Sequence, residues 1–135
     1  VDAVDTVSAK LALIEKAHEH EVPIISAMGC GNRFDPTKLV VTDIYKTEMD
    51  PLAKVMRKEL KKRGIKKLKV VYSTEEPIKP MDFDEDGQKI MASSQVAAAG
   101  QTRAKSVPGS TAFVPSAAGL IIASQVAFDL TKDLR

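Results

Sequence analysis

Two carboxylates at the start of the chain are the first candidates for chemistry. The sequence opens VDAVDTVSAKLALIEKAHEH, and Asp2 and Asp5 stand directly in front of an amphipathic stretch. In α/β proteins, ligands bind beyond the carboxyl ends of strands, where a strand gives way to a helix. A carboxylate at such a junction can hold a magnesium ion beside a nucleoside triphosphate, or it can cap the helix. Both interpretations stay open on the residues alone.

A basic segment at 54–69 is the second candidate. It holds nine lysines and arginines against one acid, Glu59, a net charge of +8 in a chain whose total is +2. Like charges at this density repel one another, and a nucleic-acid backbone would relieve the repulsion and release counterions. A solvated helix face or an acidic protein partner are the alternatives. The residues expected to project outward and bind nucleic acid are Lys54, Arg57, Lys58, Lys61 and Lys62.

Three further motifs carry weaker signals. Gly29-x-Gly31 lacks the third glycine and the following helix of a dinucleotide-binding turn, so a tight turn is favoured. Cys30 stands near Arg33, which would favour its thiolate, but no histidine is near it in the sequence, and an incidental cysteine is favoured over a nucleophile. The run DFDEDGQKIMAS resembles a calcium loop for six positions and then lacks the carboxylate at the twelfth, which favours an exposed acidic loop.

The elements that must position these residues alternate between helices and strands. Asp50-Pro51 predicts a capped helix start, and Gly64 predicts its end. We interpret 75–106 as a long loop or mobile segment with one short helix near 90–98. The other predicted elements are a helix over about 7–20, strands over 23–28, 38–45, 67–73 and 109–116, and helices over 51–63 and 116–133.

Length and composition limit the class of protein. A chain of 135 residues with 44% hydrophobic and 28% charged residues is typical of one soluble domain. Alternating helices and strands indicate an α/β fold with helices covering a sheet. One cysteine excludes an intramolecular disulfide and a multi-thiolate zinc site, and indicates a reducing, cytoplasmic compartment. No apolar run approaches the ~18–20 residues that span a bilayer, so no membrane association is expected.

The sequence resembles the ThiF/MoeB/HesA family of ubiquitin-activating-like adenylation enzymes. The similarity lies in VDAVDTVSAKLALIEKAHEHEVPIISAMGCGNRFDPT, where a D-A-x-D motif followed by Thr stands between a strand and a helix. The blocks DPLAKVMRKELKKRGI and PGSTAFVPSAAGLIIASQVAFDL are similar to one branch, the tRNA threonylcarbamoyladenosine dehydratases (TcdA). The resemblance covers nearly the whole chain and is weakest at 81–105.

That resemblance implies a fold and a reaction. The chain would be the C-terminal portion of a ThiF-type domain, a Rossmann-like mixed sheet flanked by helices, whose glycine-rich nucleotide-binding half lies upstream of Val1. The family activates a carboxylate with ATP as an acyl-adenylate, and this branch then closes a ring on the modified tRNA base, a net dehydration. Asp5 matches the carboxylate that supports Mg²⁺-ATP and catalysis. Asp2 precedes it in the same motif and is expected to contact the cofactor.

The resemblance also implies partners. The basic helix 51–63 would bind tRNA, and the chain would form a homodimer or retain its N-terminal half. Without the phosphate-binding turn, this portion alone is expected to be inactive. The alternatives are an adenylyltransferase that activates a ubiquitin-like or sulfur-carrier protein, and a binding module without catalysis. The dehydratase is favoured because one cysteine cannot supply the zinc site typical of sulfur-carrier-activating members.

Overall fold

The computed structural model describes residues 1–79, 81–83, 86, 89–91 and 108–134. Single 3₁₀ turns at Pro36–Lys38, Ile44–Lys46 and Lys132–Leu134 join or extend the longer elements. Within the described ranges, the helices are α1 (Val7–Glu19), α2 (Pro51–Lys62) and α3 (Val114–Thr131), and the strands are β1 (Ile25–Ala27), β2 (Leu39–Asp43), β3 (Lys69–Ser73), β4 (Met81–Phe83) and β5 (Lys89–Met91).

The central sheet is mixed and has the order β1-β3-β2. β1 runs parallel to β3, whereas β2 runs antiparallel to it. The start of the chain extends this sheet, because Asp2 forms a parallel bridge with Ser26. Its N–H donates to the Ile25 carbonyl at 2.9 Å and its carbonyl accepts from Ala27 N–H at 2.8 Å. The opening residues are therefore a strand-to-helix junction, as their sequence predicts.

Helices cover both faces of the sheet, which confirms the predicted α/β class. β3 alternates its side chains, so that Val70 and Tyr72 join the core under α1 and α2, and Val71 joins the core under α3. Each fully buried aliphatic side chain of this kind contributes roughly 1.5–3 kcal/mol. The first core includes Leu11, Ile14, Met56 and Leu60; the second includes Ile25, Leu39, Val114, Ala118 and Ile122.

α2 begins and ends where its sequence predicts. The Asp50 carboxylate accepts a hydrogen bond from Ala53 N–H at 2.9 Å, and proline stands in the first turn. Gly64 follows the last turn with φ +71°, a conformation that L side chains rarely adopt. The apolar stripe of α2 packs Ala53, Met56 and Leu60 into the core, so its lysines face outward.

The predicted strand over 109–116 is wrong. Residues 108–113 are irregular, and α3 already begins at Val114. Pro115 lies in the first turn of that helix, where a missing backbone N–H costs nothing because first-turn N–H groups have no partner within the helix. The Thr111 hydroxyl accepts from Phe113 N–H at 3.3 Å just before the helix. Proline therefore marks the start of a helix here, rather than the end of a strand.

Part of the segment 75–106 is paired. β4 and β5 form a two-stranded antiparallel ribbon with Asp82 opposite Ile90. The predicted short helix near 90–98 is wrong at its first two residues, since Ile90 and Met91 belong to β5. Residues 92–98 lie outside the described residues, as does most of the acidic loop.

α3 is an apolar helix that is only partly buried. One face, made of Val114, Ala118 and Ile122, packs on the sheet, whereas Leu120 is 74% exposed and Leu130 is 77% exposed. By length and composition alone, the helical stretch Val114–Leu134 suffices to cross a membrane, contrary to the expectation that no segment would. Core helices of soluble proteins pass the same test, and this helix has one face in the core.

Candidate active site

A cavity of about 830 Å³ opens where β1 ends. Its wall is built from the opening residues 3–5, the turn after β1 at 27–33, the start of α2 at 50–52, the segment 108–110 and one face of α3. The strand-to-helix junction, the glycine turn and the α2 start thus meet at one place, although they are up to 50 residues apart in sequence. This is the position at which α/β sheets bind ligands.

Asp5 lies on the rim of this cavity and is exposed. Its carboxylate makes no hydrogen bond or ion pair within the described part of the chain. Thr6 occupies the N-cap position of α1, and no side chain there caps the helix. The alternative interpretation of Asp5 as a helix cap is therefore wrong, and the carboxylate is free to meet a ligand.

Asp2 lies behind the cavity wall and is completely buried. One carboxylate oxygen accepts from Lys10 Nζ at 2.8 Å and from the Ser26 hydroxyl, and the other accepts from Val4 N–H at 3.2 Å. Both oxygens are occupied by the protein itself. The structure thus brings Asp5 to the cavity and uses Asp2 to hold the segment on which Asp5 stands.

Lys10 is a site residue that the sequence analysis missed. Its side chain is 1% exposed, and Nζ donates to Asp2, to the Ser26 hydroxyl at 3.3 Å and to the Ala27 carbonyl at 2.9 Å. It thereby joins α1 to the end of β1, and the glycine turn follows directly after this strand. The available signal was its spacing, because position 10 falls among Val7, Leu11 and Ile14 on the buried face of the helix.

Asp50 connects the glycine turn to α2. While one oxygen caps the helix, the other accepts from Gly29 N–H at 3.1 Å. A Cβ at Gly29 would lie 3.4 Å from both carboxylate oxygens, and a Cβ at Gly31 would lie 2.8 Å from the Pro108 side chain. The tight-turn interpretation of this motif is confirmed. The sequence predicts Asp50 as a cap, but not its bond to the turn.

Cys30 is half-buried in that turn and lines the cavity. Burial raises the pKa of its thiol, and the nearby Asp50 carboxylate raises it further, against the smaller opposing effects of Arg33 and Lys10. Arg33 favours the thiolate, as expected, but burial and Asp50 outweigh it and the thiol pKa is raised. Since the thiolate is the nucleophilic form, the incidental role is favoured.

The five basic residues predicted to bind nucleic acid separate into two groups. Lys54, Lys58 and Lys61 are exposed, have no ion pair in the described ranges, and recur at helical spacing along one face of α2. We call these three the lysine stripe. Arg57 instead donates to the Thr47 carbonyl at 2.8 Å and to the Thr47 hydroxyl.

Lys62 pairs with Glu59 at 2.7 Å. Lys62 and Arg63 lower the pKa of Glu59 to about 2, so Glu59 stays ionised beside them at neutral pH. The charge that α2 presents to a partner is therefore carried by the lysine stripe.

No group of three or more His, Cys, Asp or Glu that could hold a metal ion occurs among the residues described. Asp5 can supply one carboxylate. Mg²⁺ is commonly held by one or two carboxylates together with substrate phosphates and water, so a single free carboxylate at a cavity fits a metal that arrives with a nucleotide. It does not fit a metal held by protein ligands alone.

Comparison with known proteins agrees with the resemblance seen in the sequence. The chain is 43% identical over 135 residues to tRNA threonylcarbamoyladenosine dehydratase of Bacillus subtilis, an alignment of 99% of this chain and 51% of that protein. It is 40% identical over 88 residues to the Escherichia coli dehydratase, covering 59% of this chain and 33% of that one. The chain is similar to TcdA. It spans about half the length of the B. subtilis relative.

Solved structures give the same result. The fold matches E. coli TcdA in complex with ATP with a TM-score of 0.73 and 25% identity, over 98% of this chain and 47% of that one. A structure named TcdA (CsdL) matches with a TM-score of 0.74 and 26% identity over 98% and 48% of the two chains. E. coli TcdA also occurs in complex with AMP. No family model matches the chain, so wider ThiF/MoeB/HesA membership stays a prediction.

Proposed function

We propose that this chain is part of an ATP-dependent tRNA threonylcarbamoyladenosine dehydratase of the ThiF type, with Asp5 as its metal-supporting catalytic carboxylate. The observation that carries the proposal is the free Asp5 side chain on a cavity at the end of β1. The similarity to TcdA extends over 99% of the chain. Since that alignment covers 51% of the relative, the proposal concerns the full-length protein, and we expect this portion alone to be inactive.

The reaction would activate a carboxylate. A carboxylate is a poor electrophile until one oxygen becomes part of a good leaving group, which an acyl-adenylate provides. A magnesium ion bound with the nucleotide would neutralise charge on the phosphate oxygens. Asp5 would hold this ion from the cavity rim. Asp2 and Lys10 act as positioning residues, because their buried pair fixes the segment that carries Asp5.

The lysine stripe is the proposed tRNA surface. Within the described ranges, Lys54, Lys58 and Lys61 offer three cations in a row without an ion pair. Lys62, paired with Glu59, and Arg57, bonded to Thr47, would add positive charge beside them. Phosphate contacts of this kind position a nucleic acid without reading its sequence. We further propose a cytoplasmic homodimer, with the exposed face of α3 as a contact to the rest of the assembly.

The role of Asp5 is tested by Asp5→Asn in the full-length protein. The readout is ATP–pyrophosphate exchange with tRNA that carries the threonylcarbamoyl group. We expect the rate to fall by at least about 10-fold, the lower end of what the loss of a group around a bound metal costs. Asp133→Asn, an exposed carboxylate outside the cavity, is the matched control. An undiminished rate in Asp5→Asn would refute the role, and exchange that requires a ubiquitin-like protein instead of tRNA would favour the alternative acceptor.

The tRNA surface is tested by charge reversal of Lys58 and Lys61 together. Lys38 and Lys132, which are exposed lysines outside α2, give a control with the same change in net charge. The logarithm of affinity falls linearly with the logarithm of salt concentration, and each lost phosphate contact makes this negative slope shallower by about 0.9 on a double helix. We therefore expect weaker tRNA binding and a shallower salt dependence only in the α2 variant. Equal effects in both variants would show a long-range effect of charge rather than a binding surface.

A further inference from the structure

Arg33 is a buried cation with unused hydrogen-bonding capacity. Its side chain is 1% exposed. Nε and Nη1 are buried and have no hydrogen-bond partner among the residues that the structure describes. An arginine carries five N–H donors and no acceptor, and a buried charge of this kind is normally both paired and hydrogen-bonded. The side chain therefore lacks partners that its burial requires.

The nearest acid only partly neutralises Arg33. Nη2 lies 3.8 Å from Asp50 Oδ2, which is too long for a hydrogen bond. That oxygen already accepts from Gly29 N–H, and the other oxygen caps α2. The other buried acid of the site, Asp2, is paired with Lys10. No further buried carboxylate occurs in the described residues.

The backbone on both sides of Arg33 is fixed. Asn32 N–H donates to the Gly109 carbonyl at 2.8 Å. On the other side, Phe34 N–H and Asp35 N–H both donate to Glu75 Oε2 at 3.0 Å. The backbone that carries Arg33 is thus held on both sides, and its side chain is buried rather than placed on the surface.

Arg33 lies in the wall of two cavities. One is the cavity of about 830 Å³ that Asp5 lines, and the other, of about 430 Å³, lies beside Asn32, Lys79 and Ser110. We infer that Arg33 binds an oxyanion, a carboxylate or a phosphate, that enters from the cavity of Asp5. Charge-assisted N–H bonds from a guanidinium suit both groups, and Nε and Nη1, which lie on different edges of the guanidinium, each have N–H donors left for an anion oxygen. The inference rests on the proposed function for the identity of the anion.

Two sources supply that chemistry in the proposed reaction. One is the carboxylate that becomes activated on the tRNA, and the other is a phosphate of the nucleotide. The two sources can be distinguished, because the affinity for the nucleotide can be measured without tRNA. Only a phosphate bound to Arg33 would make that affinity depend on Arg33. In both cases Arg33 contacts an anion. A role in which Arg33 only bonds a backbone carbonyl would require no anion.

The test uses Arg33→Gln and Arg33→Lys in the full-length protein. Gln removes the charge, whereas Lys keeps the charge and loses the planar fork. If Arg33 binds a nucleotide phosphate, Arg33→Gln weakens ATP binding in calorimetry by about 10-fold or more, and Arg33→Lys recovers part of it. If it binds the carboxylate, ATP affinity is unchanged and kcat/KM for the tRNA falls by a similar factor. Unchanged ATP affinity and kcat/KM in folded Arg33→Gln overturn the inference.

A second measurement uses the wild-type protein, so that the inference can be tested even if the variants do not fold. NMR of the arginine Nε–H groups follows titrations with pyrophosphate and with acetate, and chloride at equal ionic strength is the control. One buried, slowly exchanging Nε–H that shifts saturably with either anion supports the site, and no such shift overturns it. A wild-type protein that shows this shift but no ATP-dependent activity refutes the proposed function and leaves the anion site standing. A wild-type protein with ATP-dependent activity but without this shift refutes only the anion site.

Discussion

Replacement of Lys10 by methionine tests the buried pair behind the active-site cavity. Met keeps the length and the apolar stem of the side chain, but removes the charge and three donated hydrogen bonds. Asp2 would then remain as an unneutralised carboxylate in a site where its side chain is 0% exposed. Removal of one partner of such a buried pair costs about 3–5 kcal/mol. Because Asp2 keeps its bonds from Ser26 and Val4, we expect the lower end, about 3 kcal/mol.

The assay is urea denaturation followed by circular dichroism. At this size, 1 kcal/mol corresponds to about 3–4 °C, so the thermal midpoint should also fall by roughly 10 °C. Lys16→Met is the matched control on the same helix, since Lys16 pairs with Glu19 at 2.6 Å while both side chains are well exposed. An exposed pair is worth at most about 1 kcal/mol.

The double variant Asp2→Leu with Lys10→Met removes both charges together. It should be more stable than Lys10→Met alone, because no unpaired charge stays buried. The difference between the double variant and the sum of the single ones gives the coupling energy of the pair. If Lys10→Met costs no more than Lys16→Met, the pair does not hold the junction, and the positioning role of Asp2 and Lys10 fails with it.

Three further predictions concern the turn, the thiol and the core. Asp50→Ala should destabilise the fold by about 1–2 kcal/mol in urea denaturation, because it removes the α2 cap and the bond to Gly29; an unchanged midpoint would contradict this. Burial and Asp50 raise the pKa of the Cys30 thiol, so iodoacetamide should alkylate it more slowly at pH 8 than a free cysteine, and at a normal rate in urea; a faster reaction in the folded protein would restore the nucleophile hypothesis. Leu60→Ala, at a fully buried position, should cost about 2–5 kcal/mol, and a loss below 1 kcal/mol would show that the core under α1 and α2 is loosely packed.

Sequence patterns were sufficient for the elements whose signals are local. The Asp50-Pro51 start, the Gly64 stop and the apolar spacing of α2 all lie within one helix and its caps, and the structure confirms them. The strand-to-helix junction at Asp2 was also predicted, because the change of pattern is visible in the opening residues, whereas its parallel bridge with Ser26 was not.

Features that depend on tertiary contacts could not be predicted from local sequence patterns. The strand predicted over 109–116 failed because Pro115 is equally compatible with the end of a strand and the first turn of a helix. Asp2 is buried and bonded because of Lys10 and Ser26, which lie on other elements. The raised pKa of Cys30 depends first on burial and then on Asp50, which is 20 positions away in sequence and near it in space.

Asp50 has a consequence for how a long polyanion would be presented to the cavity. The same carboxylate starts α2 and holds the Gly29 turn, so the lysine stripe and the cavity wall share one rigid anchor without a hinge between them. A nucleic acid lying on the stripe would therefore stay at a set reach from the cavity. The nucleotide that enters the cavity would be the one separated from the phosphates bound to α2 by a fixed number of nucleotides.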